Sequence, residues 1–398
     1  MTGFAVAIIA AWLLTSVLAS AGVIDYRRTL RRVAQAADWP SAVVLVAVKG
    51  AGEALDRFLP VLASQDYPFY RVVFAVEAAT DPAFPALELL ARNESHRFEL
   101  IVAGKATECA QKVQNLLKAL DALRPTDRVV VFADADTEPA ADWLRELVRP
   151  IAVGGAAVST GYRWQIAKDR RLPSLIAALA DMSVATAARD RRWNLCWGGS
   201  TAVERRVLDR LDLPRLWARV ATEDLTLTRT LRREGVPIHG AVRVLLPSPC
   251  SYSWRSLFAF GRRQYLLVRF YAPRHWLLAA WTLCVPAAGA AMAVSAAVSG
   301  SLAAALCIGA AILLQLLRYR LRLSIARQVL PTEAAAEAAI TFRLGWWVSP
   351  LVHIVHAAVL LGSLLGRSFE WAGIRYRLSG PDKVVILDRC HGRPSAIG

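Results

Sequence analysis

Charge is what this sequence has little of. Only 20% of its 398 residues are Asp, Glu, Lys or Arg, while 55% are apolar, a balance that excludes an ordinary soluble enzyme. The shortage is concentrated in places. No charged side chain occurs from Met1 to Ile24, or over the 42 residues from Trp276 to Leu317. Any C-x-x-C pair is also missing: Cys109, Cys196, Cys250, Cys284, Cys307 and Cys390 are scattered. That excludes a zinc ribbon or a disulfide framework and fits a reducing compartment or buried small side chains. The six histidines show no metal-ligand spacing; His353 and His356, in an apolar stretch, read as packing or interfacial polar groups. Missing too is a basic stripe interleaved with aromatics. The net charge of +16 therefore does not point to nucleic acid; most of it comes from arginines flanking the apolar segments.

Those segments imply a membrane. About 20 apolar residues cross the hydrocarbon core. Residues 1–24 satisfy this and are followed by Arg27, Arg28, Arg31 and Arg32. A cleaved signal peptide competes, helped by Ala19-Ser20-Ala21, but no positive charge precedes the run and the run is long, so it reads as an anchor. Residues 271–318 hold two further spans joined at Ser299-Gly300-Ser301. Arg262, Arg263, Arg269 and Arg274 precede this hairpin, and Arg318, Arg320, Arg322 and Arg327 follow it. The positive-inside rule then places the region 36–270 in the cytoplasm, with the bacterial inner membrane as the expected location. The stretch 319–366, interrupted by Arg343 and Pro350 and carrying Trp346 and Trp347, is expected to be interfacial, re-entrant or transmembrane. A basic tail, 367–398, closes the chain.

Between Ser41 and Pro247 apolar runs alternate with helical spacing. Strands are expected at Val43–Val48, Tyr70–Val76, Phe98–Val102 and Val129–Ala133. Helices are expected at Glu53–Ser64, around Ala86–Arg92, and through Val113, Leu116, Leu117 and Leu120. This order predicts an α/β fold, a parallel sheet wrapped by helices, with ligands beyond the carboxyl ends of its strands. Lys49, Glu77, and the pair Asp134 and Asp136 fall at such ends. Two acids at i and i+2 on a strand exit suit one divalent cation, the usual clamp for a diphosphate, although two surface acids after a strand are common. Trp197-Gly198-Gly199-Ser200-Thr201 reads either as an ordinary turn or as backbone that approaches a ligand. Thr222-Glu223-Asp224 opens an amphipathic helix, where Thr or Asp is usually a cap.

Taken in order, these residues resemble the membrane glycosyltransferases of the family 2 type, in particular those like ceramide glucosyltransferase. The resemblance runs through Val44–Gly50, Gln65-Asp66-Tyr67-Pro68, Val76-Glu77 to Asp81-Pro82-Ala83, Gly104-Lys105 and Lys112-x-x-Asn115-Leu116. It continues with Asp134-Ala135-Asp136, Gly199-Ser200, Glu223-Asp224, Ser251-Tyr252-Ser253, Gly261–Tyr265 and Arg375-Tyr376-Arg377-Leu378. Two departures stand out. Where that family has an Asp after the second strand, this chain offers Glu77 or Asp81. Where it has Gln or Arg, two variable residues and Arg-Trp, this chain has Gly261-Arg262-Arg263-Gln264-Tyr265.

The resemblance implies a GT-A-like domain over 36–270 and inverting transfer from a nucleotide-diphosphate sugar, a UDP-sugar by expectation, to a hydroxyl of a lipid acceptor. It implies Asp224 as catalytic base and Asp134 and Asp136 as ligands of a divalent cation, Mg or Mn. Lys49, Glu77, Asp81, Lys112, Asp134, Gly199 and Glu223 would bind the nucleotide sugar. Arg262, Arg263, Gln264 and Tyr265 would meet the acceptor or the diphosphate. A processive polysaccharide synthase and a catalytically inactive membrane scaffold are the alternatives.

Overall fold

The computed structural model describes residues 2–32, 34–187 and 190–389. Cys390 and the last residues of the basic tail lie outside them; the five other cysteines are free. The chain divides into two compact units, a helical one (1–32, 164–188 and 249–366) and an α/β one (33–163, 189–248 and 367–398). Residues 164–188 and 249–270, expected inside one continuous middle domain, group with the helical unit.

Seven strands form one sheet: β1 (Ala42–Ala47), β2 (Tyr70–Val76), β3 (Phe98–Val102), β4 (Val129–Asp134), β5 (Val158–Ala167), β6 (Ser200–Glu204) and β7 (His239–Cys250). Their order is β3-β2-β1-β4-β6-β5-β7. The first four run parallel, and β6 runs antiparallel to both β4 and β5. Val43, Val44, Leu45, Val46, Val129, Val130 and Val131 are fully buried, as expected of β-branched runs covered on both faces. The helix Gln111–Leu120 turns Val113, Leu116 and Ala119 to this core. On the same side Asn115 Nδ2 donates to the Ala75 carbonyl at 3.1 Å. This mixed, mostly parallel sheet is a GT-A-like architecture. Three more strands, β8 (Ser368–Trp371), β9 (Ile374–Gly380) and β10 (Lys383–Arg389), form a separate antiparallel sheet, so the described part of the basic tail is folded.

In the helical unit Gly3–Leu30, Pro273–Val298 and Leu302–Val329 are each long and apolar enough to cross a membrane. The chain is an integral membrane protein by that measure. The first helix packs closely on the second: a Cβ on Gly289 would sit 2.5 Å from Trp12 Cβ, the small-residue contact that apolar helices use to approach. Arg318 reaches from the third helix to the Ser16 carbonyl at 2.8 Å and Ser20 Oγ at 3.2 Å. Thr332–Gly345 and Ser349–Gly362 are bent by 99° at a short break, the geometry of a broken span or a re-entrant segment.

Candidate active site

Strand register sets the site. Ala47 pairs with Ala75 on one side and with Asp134 on the other, so β1, β2 and β4 end level. Two residues beyond Ala47 and Ala75, Lys49 Nζ lies 3.7 Å from Glu77 Oε2. Asp81 Oδ1 accepts from the N–H groups of Gly50 and Ala83, both at 2.9 Å. It thereby joins the loops after β1 and β2. Gly50 has φ +77°, where a glycine is favoured.

Beyond the end of β4 the acids meet a single lysine. Lys112, second residue of its helix, places Nζ 2.6 Å from Asp134 Oδ1 and 2.7 Å from Glu223 Oε1. Burial opposes its ammonium, but Asp134, Glu223 and Asp224 together outweigh that and push its pKa up. Glu223 is only 2% exposed. Burial pushes its carboxyl up to about 7, with Lys112 opposing the rise and Asp224 and Asp134 adding to it. An ion pair this enclosed is costly to break from one side.

Asp224, next in sequence, is held from three directions. Gly198 N–H donates to Oδ2 at 2.9 Å, Leu225 N–H donates to Oδ1 at 2.6 Å, and the Thr222 hydroxyl also donates to Oδ1. Thr222 occupies the N-cap position with extended backbone (φ −147°, ψ 130°) but makes no side-chain cap. The capping role open in the sequence is therefore not what its hydroxyl does. A carboxylate offers about four lone-pair sites, so Oδ2 retains one for another donor.

The Trp197–Gly199 loop completes this corner. It is fastened by Trp197 N–H to Thr160 Oγ1 at 3.0 Å, Cys196 N–H to Thr228 Oγ1 at 2.8 Å, and Thr201 Oγ1 to the Trp197 carbonyl at 2.7 Å. A Cβ on Gly198 would lie 2.3 Å from Glu223 Oε1, 2.8 Å from Lys112 Nζ and 3.4 Å from Asp224 Oδ2. On Gly199 it would strike the Trp197 ring at 2.4 Å. Both glycines are sterically required, but Gly198, rather than Gly199, leaves room for the charged groups.

Asp136 stands beside Asp134. Desolvation raises its carboxyl well above the usual carboxylate range, and the neighbouring Asp134 adds to the rise. Among the described residues no three His, Cys, Asp or Glu side chains converge as a metal site. The two carboxylates, whose repulsion a cation would relieve, fit a hard divalent ion completed by substrate phosphate oxygens and water.

Arg262, Arg263, Gln264 and Tyr265 lie on the helix Trp254–Tyr271 of the helical unit. Within that unit Arg262 donates to the carbonyls of Gly362 (3.1 Å) and Leu365. Arg263 lies 5.4 Å from the Phe260 ring centroid, and the Tyr265 hydroxyl bonds His356 Nε2. The α/β unit contributes Tyr376, which lies in the tail motif but had no role assigned from it, and two residues the sequence did not single out for the site, Trp371 and Arg389. Trp371 lies against Lys112, and Tyr376 and Arg389 bond Gln111.

The family model for glycosyl transferase family 21 matches residues 4–384. The chain belongs to glycosyl transferase family 21. This is the ceramide glucosyltransferase family, in line with the resemblance read from the motifs, and the chain is a nucleotide-sugar glycosyltransferase. No curated protein matches it. Among solved structures it is similar to the mannosyltransferase PcManGT from Pyrobaculum calidifontis in complex with GDP-Man and Mn2+. That match has 18% identity and a TM-score of 0.45, covering 90% of this chain and 99% of that one. It is also similar to glucosyl-3-phosphoglycerate synthase from Mycobacterium tuberculosis in complex with Mn2+ and UDP-glucose, at 16% identity and a TM-score of 0.35, covering 58% and 78%.

Proposed function

We propose that this family 21 enzyme transfers a sugar, with inversion, from a nucleoside diphosphate sugar to a hydroxyl of a membrane lipid. Transfer takes place at the cytoplasmic face of the bacterial inner membrane. The observation that carries the chemistry is Asp224, fixed by Gly198 N–H, Leu225 N–H and the Thr222 hydroxyl, with lone-pair capacity left on Oδ2. The acceptor oxygen attacks the anomeric carbon from the face opposite the diphosphate. As the new C–O bond forms, Asp224 takes the hydroxyl proton. The bond from the anomeric carbon to the diphosphate oxygen breaks, and its electron pair leaves with the diphosphate. One base and one displacement give inversion.

Asp134 and Asp136 would hold a divalent cation, which when bound neutralises charge on the departing diphosphate. Lys112 sets the position and charge of Asp134 and Glu223, and Lys49, Glu77, Asp81 and Gly199 border the nucleoside side. Arg262, Arg263, Gln264 and Tyr265 are assigned to the acceptor or the diphosphate. A lipid acceptor is favoured by the three or four helices among the described residues that are long and apolar enough to cross a membrane: a lipid head group reaches an enzyme held at the bilayer surface. The test is to incubate the purified full chain with a panel of nucleotide sugars and a total lipid extract. The expected result is a lipid heavier by one sugar, whose anomeric configuration, read by NMR, is opposite to the donor's. Retained configuration would remove the single-displacement mechanism.

A further inference from the structure

All three strands of the C-terminal sheet converge on one pair of residues, Gln111 and Lys112. From β8, the Trp371 ring centroid lies 5.9 Å from Lys112 Nζ. From β9, the Tyr376 hydroxyl accepts the main-chain N–H of Gln111 at 3.2 Å; Gln111 is the first residue of its helix, where that N–H has no partner inside the helix. From β10, Arg389 Nη2 donates to Gln111 Oε1 at 2.9 Å and to the Ala106 carbonyl at 3.0 Å, while Nη1 meets Glu77 Oε1 at 2.5 Å.

The Gln111 side chain extends the chain of bonds. Its Nε2 donates to the Gly104 carbonyl and to Asn115 Oδ1, both at 2.9 Å. Trp371 is presented by a two-residue hairpin in which it pairs with Ile374. Ala372 (φ +49°) and Gly373 (φ +72°) are both left-handed, as a tight hairpin turn requires. A left-handed alanine is disfavoured and persists where surrounding structure holds it.

We infer that the C-terminal sheet is a wall of the donor site, in which Arg389 positions Glu77 for the nucleoside and Trp371, with Tyr376, positions Lys112 beside Asp134. This rests on the proposed function for placing the donor at Glu77 and Lys112. The Arg389 side chain is 14% exposed, and a charge-assisted, multidentate bond so sheltered fixes its partner in direction as well as distance. Without it Glu77 keeps Lys49 at 3.7 Å, a point charge on a flexible stem that sets no orientation. The Trp371 face, attracted to the ammonium, narrows the range of Lys112 in the same way. Arg389, Trp371 and Tyr376 are positioning residues.

The experiment uses the full chain in detergent with four variants: Arg389→Gln, Arg389→Lys, Trp371→Leu, and Asp382→Asn as a control. Asp382 pairs with Arg229 on the surface of the same sheet. Binding of the nucleoside diphosphate is measured by calorimetry, and donor and acceptor KM are measured separately. Arg389→Gln should weaken nucleoside diphosphate binding and raise the donor KM about tenfold, with the acceptor KM unchanged. Arg389→Lys should recover part of the loss. Trp371→Leu should raise the donor KM in the same direction, and Asp382→Asn should match the wild type. Unchanged nucleotide affinity in Arg389→Gln overturns the inference, as does an equal loss in Asp382→Asn or an equal rise in donor and acceptor KM. If the wild-type chain binds no nucleoside diphosphate sugar at all, the proposed function fails first and takes the inference with it.

Discussion

The main-chain N–H of Gly198 donates to Asp224 Oδ2 at 2.9 Å, and this bond is possible because Gly198 has no side chain. An added Cβ would fall within 2.8 Å of both Glu223 Oε1 and Lys112 Nζ, distances that real contacts do not tolerate. Gly198→Ala is therefore expected to displace the lysine and its acids. The cost should be about 1–3 kcal/mol of stability, as for overpacking elsewhere, with a larger loss of transfer. Thermal unfolding alongside turnover separates the two effects; wild-type turnover would show that the corner has slack.

Asp224→Asn removes the proton acceptor while keeping the shape. Transfer should fall about 10²–10⁴-fold, with nucleotide-sugar binding retained. An amide has one acceptor oxygen, so either the Gly198 or the Leu225 N–H loses its partner, at about 1–3 kcal/mol. Turnover near wild type in a folded Asn variant would show that another group accepts the proton.

A metal requirement should appear as loss of activity in excess chelator and its return on adding Mn2+ or Mg2+. Asp136→Ala should lose both turnover and metal-dependent nucleotide binding. Burial and Asp134 raise the Asp136 carboxyl, so protons compete with the ion below neutrality. Apparent metal affinity should fall as pH drops, with a midpoint well above the value of about 4 for an ordinary aspartate. Full activity in chelator with no metal in the preparation would assign the two acids another purpose.

Lys112→Met should destabilise the chain by about 3–5 kcal/mol, because it leaves Glu223 and Asp134 close together without their cation. Adding Glu223→Gln should restore much of the stability and none of the activity. Calorimetric unfolding of the single and double variants tests this. Additive losses would show that the two side chains do not act as a pair.

Strands β1, β2 and β4 were legible in the sequence because they are buried on both faces. Val129–Ala133 and Val72–Val76 read as unbroken apolar runs. The acids were legible because a run that switches abruptly to carboxylates marks a strand exit. β5 and β6 were harder: one mixes Ser, Thr, Gly and Gln with aromatics, and the other is five residues after a glycine pair. The tail did carry a signal. Ile374-Arg375-Tyr376-Arg377-Leu378 alternates strictly, and its Ile, Tyr and Leu are buried; its charge obscured that period. The meeting of Lys112 with Glu223, over a hundred positions apart, is tertiary and leaves no local pattern.

We propose that one sugar goes onto one lipid. The most direct measurement is chromatography of the product after the purified chain is given labelled nucleotide sugar and lipid extract. The expected result is a single lipid-extractable species of fixed size, because the three helices among the described residues that are long and apolar enough to cross a membrane, or four if the bent pair is one span, are few for enclosing the polar conduit a growing chain needs. Label remaining in the aqueous phase, as a ladder or as high-mass material, would contradict the account and favour polymer synthesis.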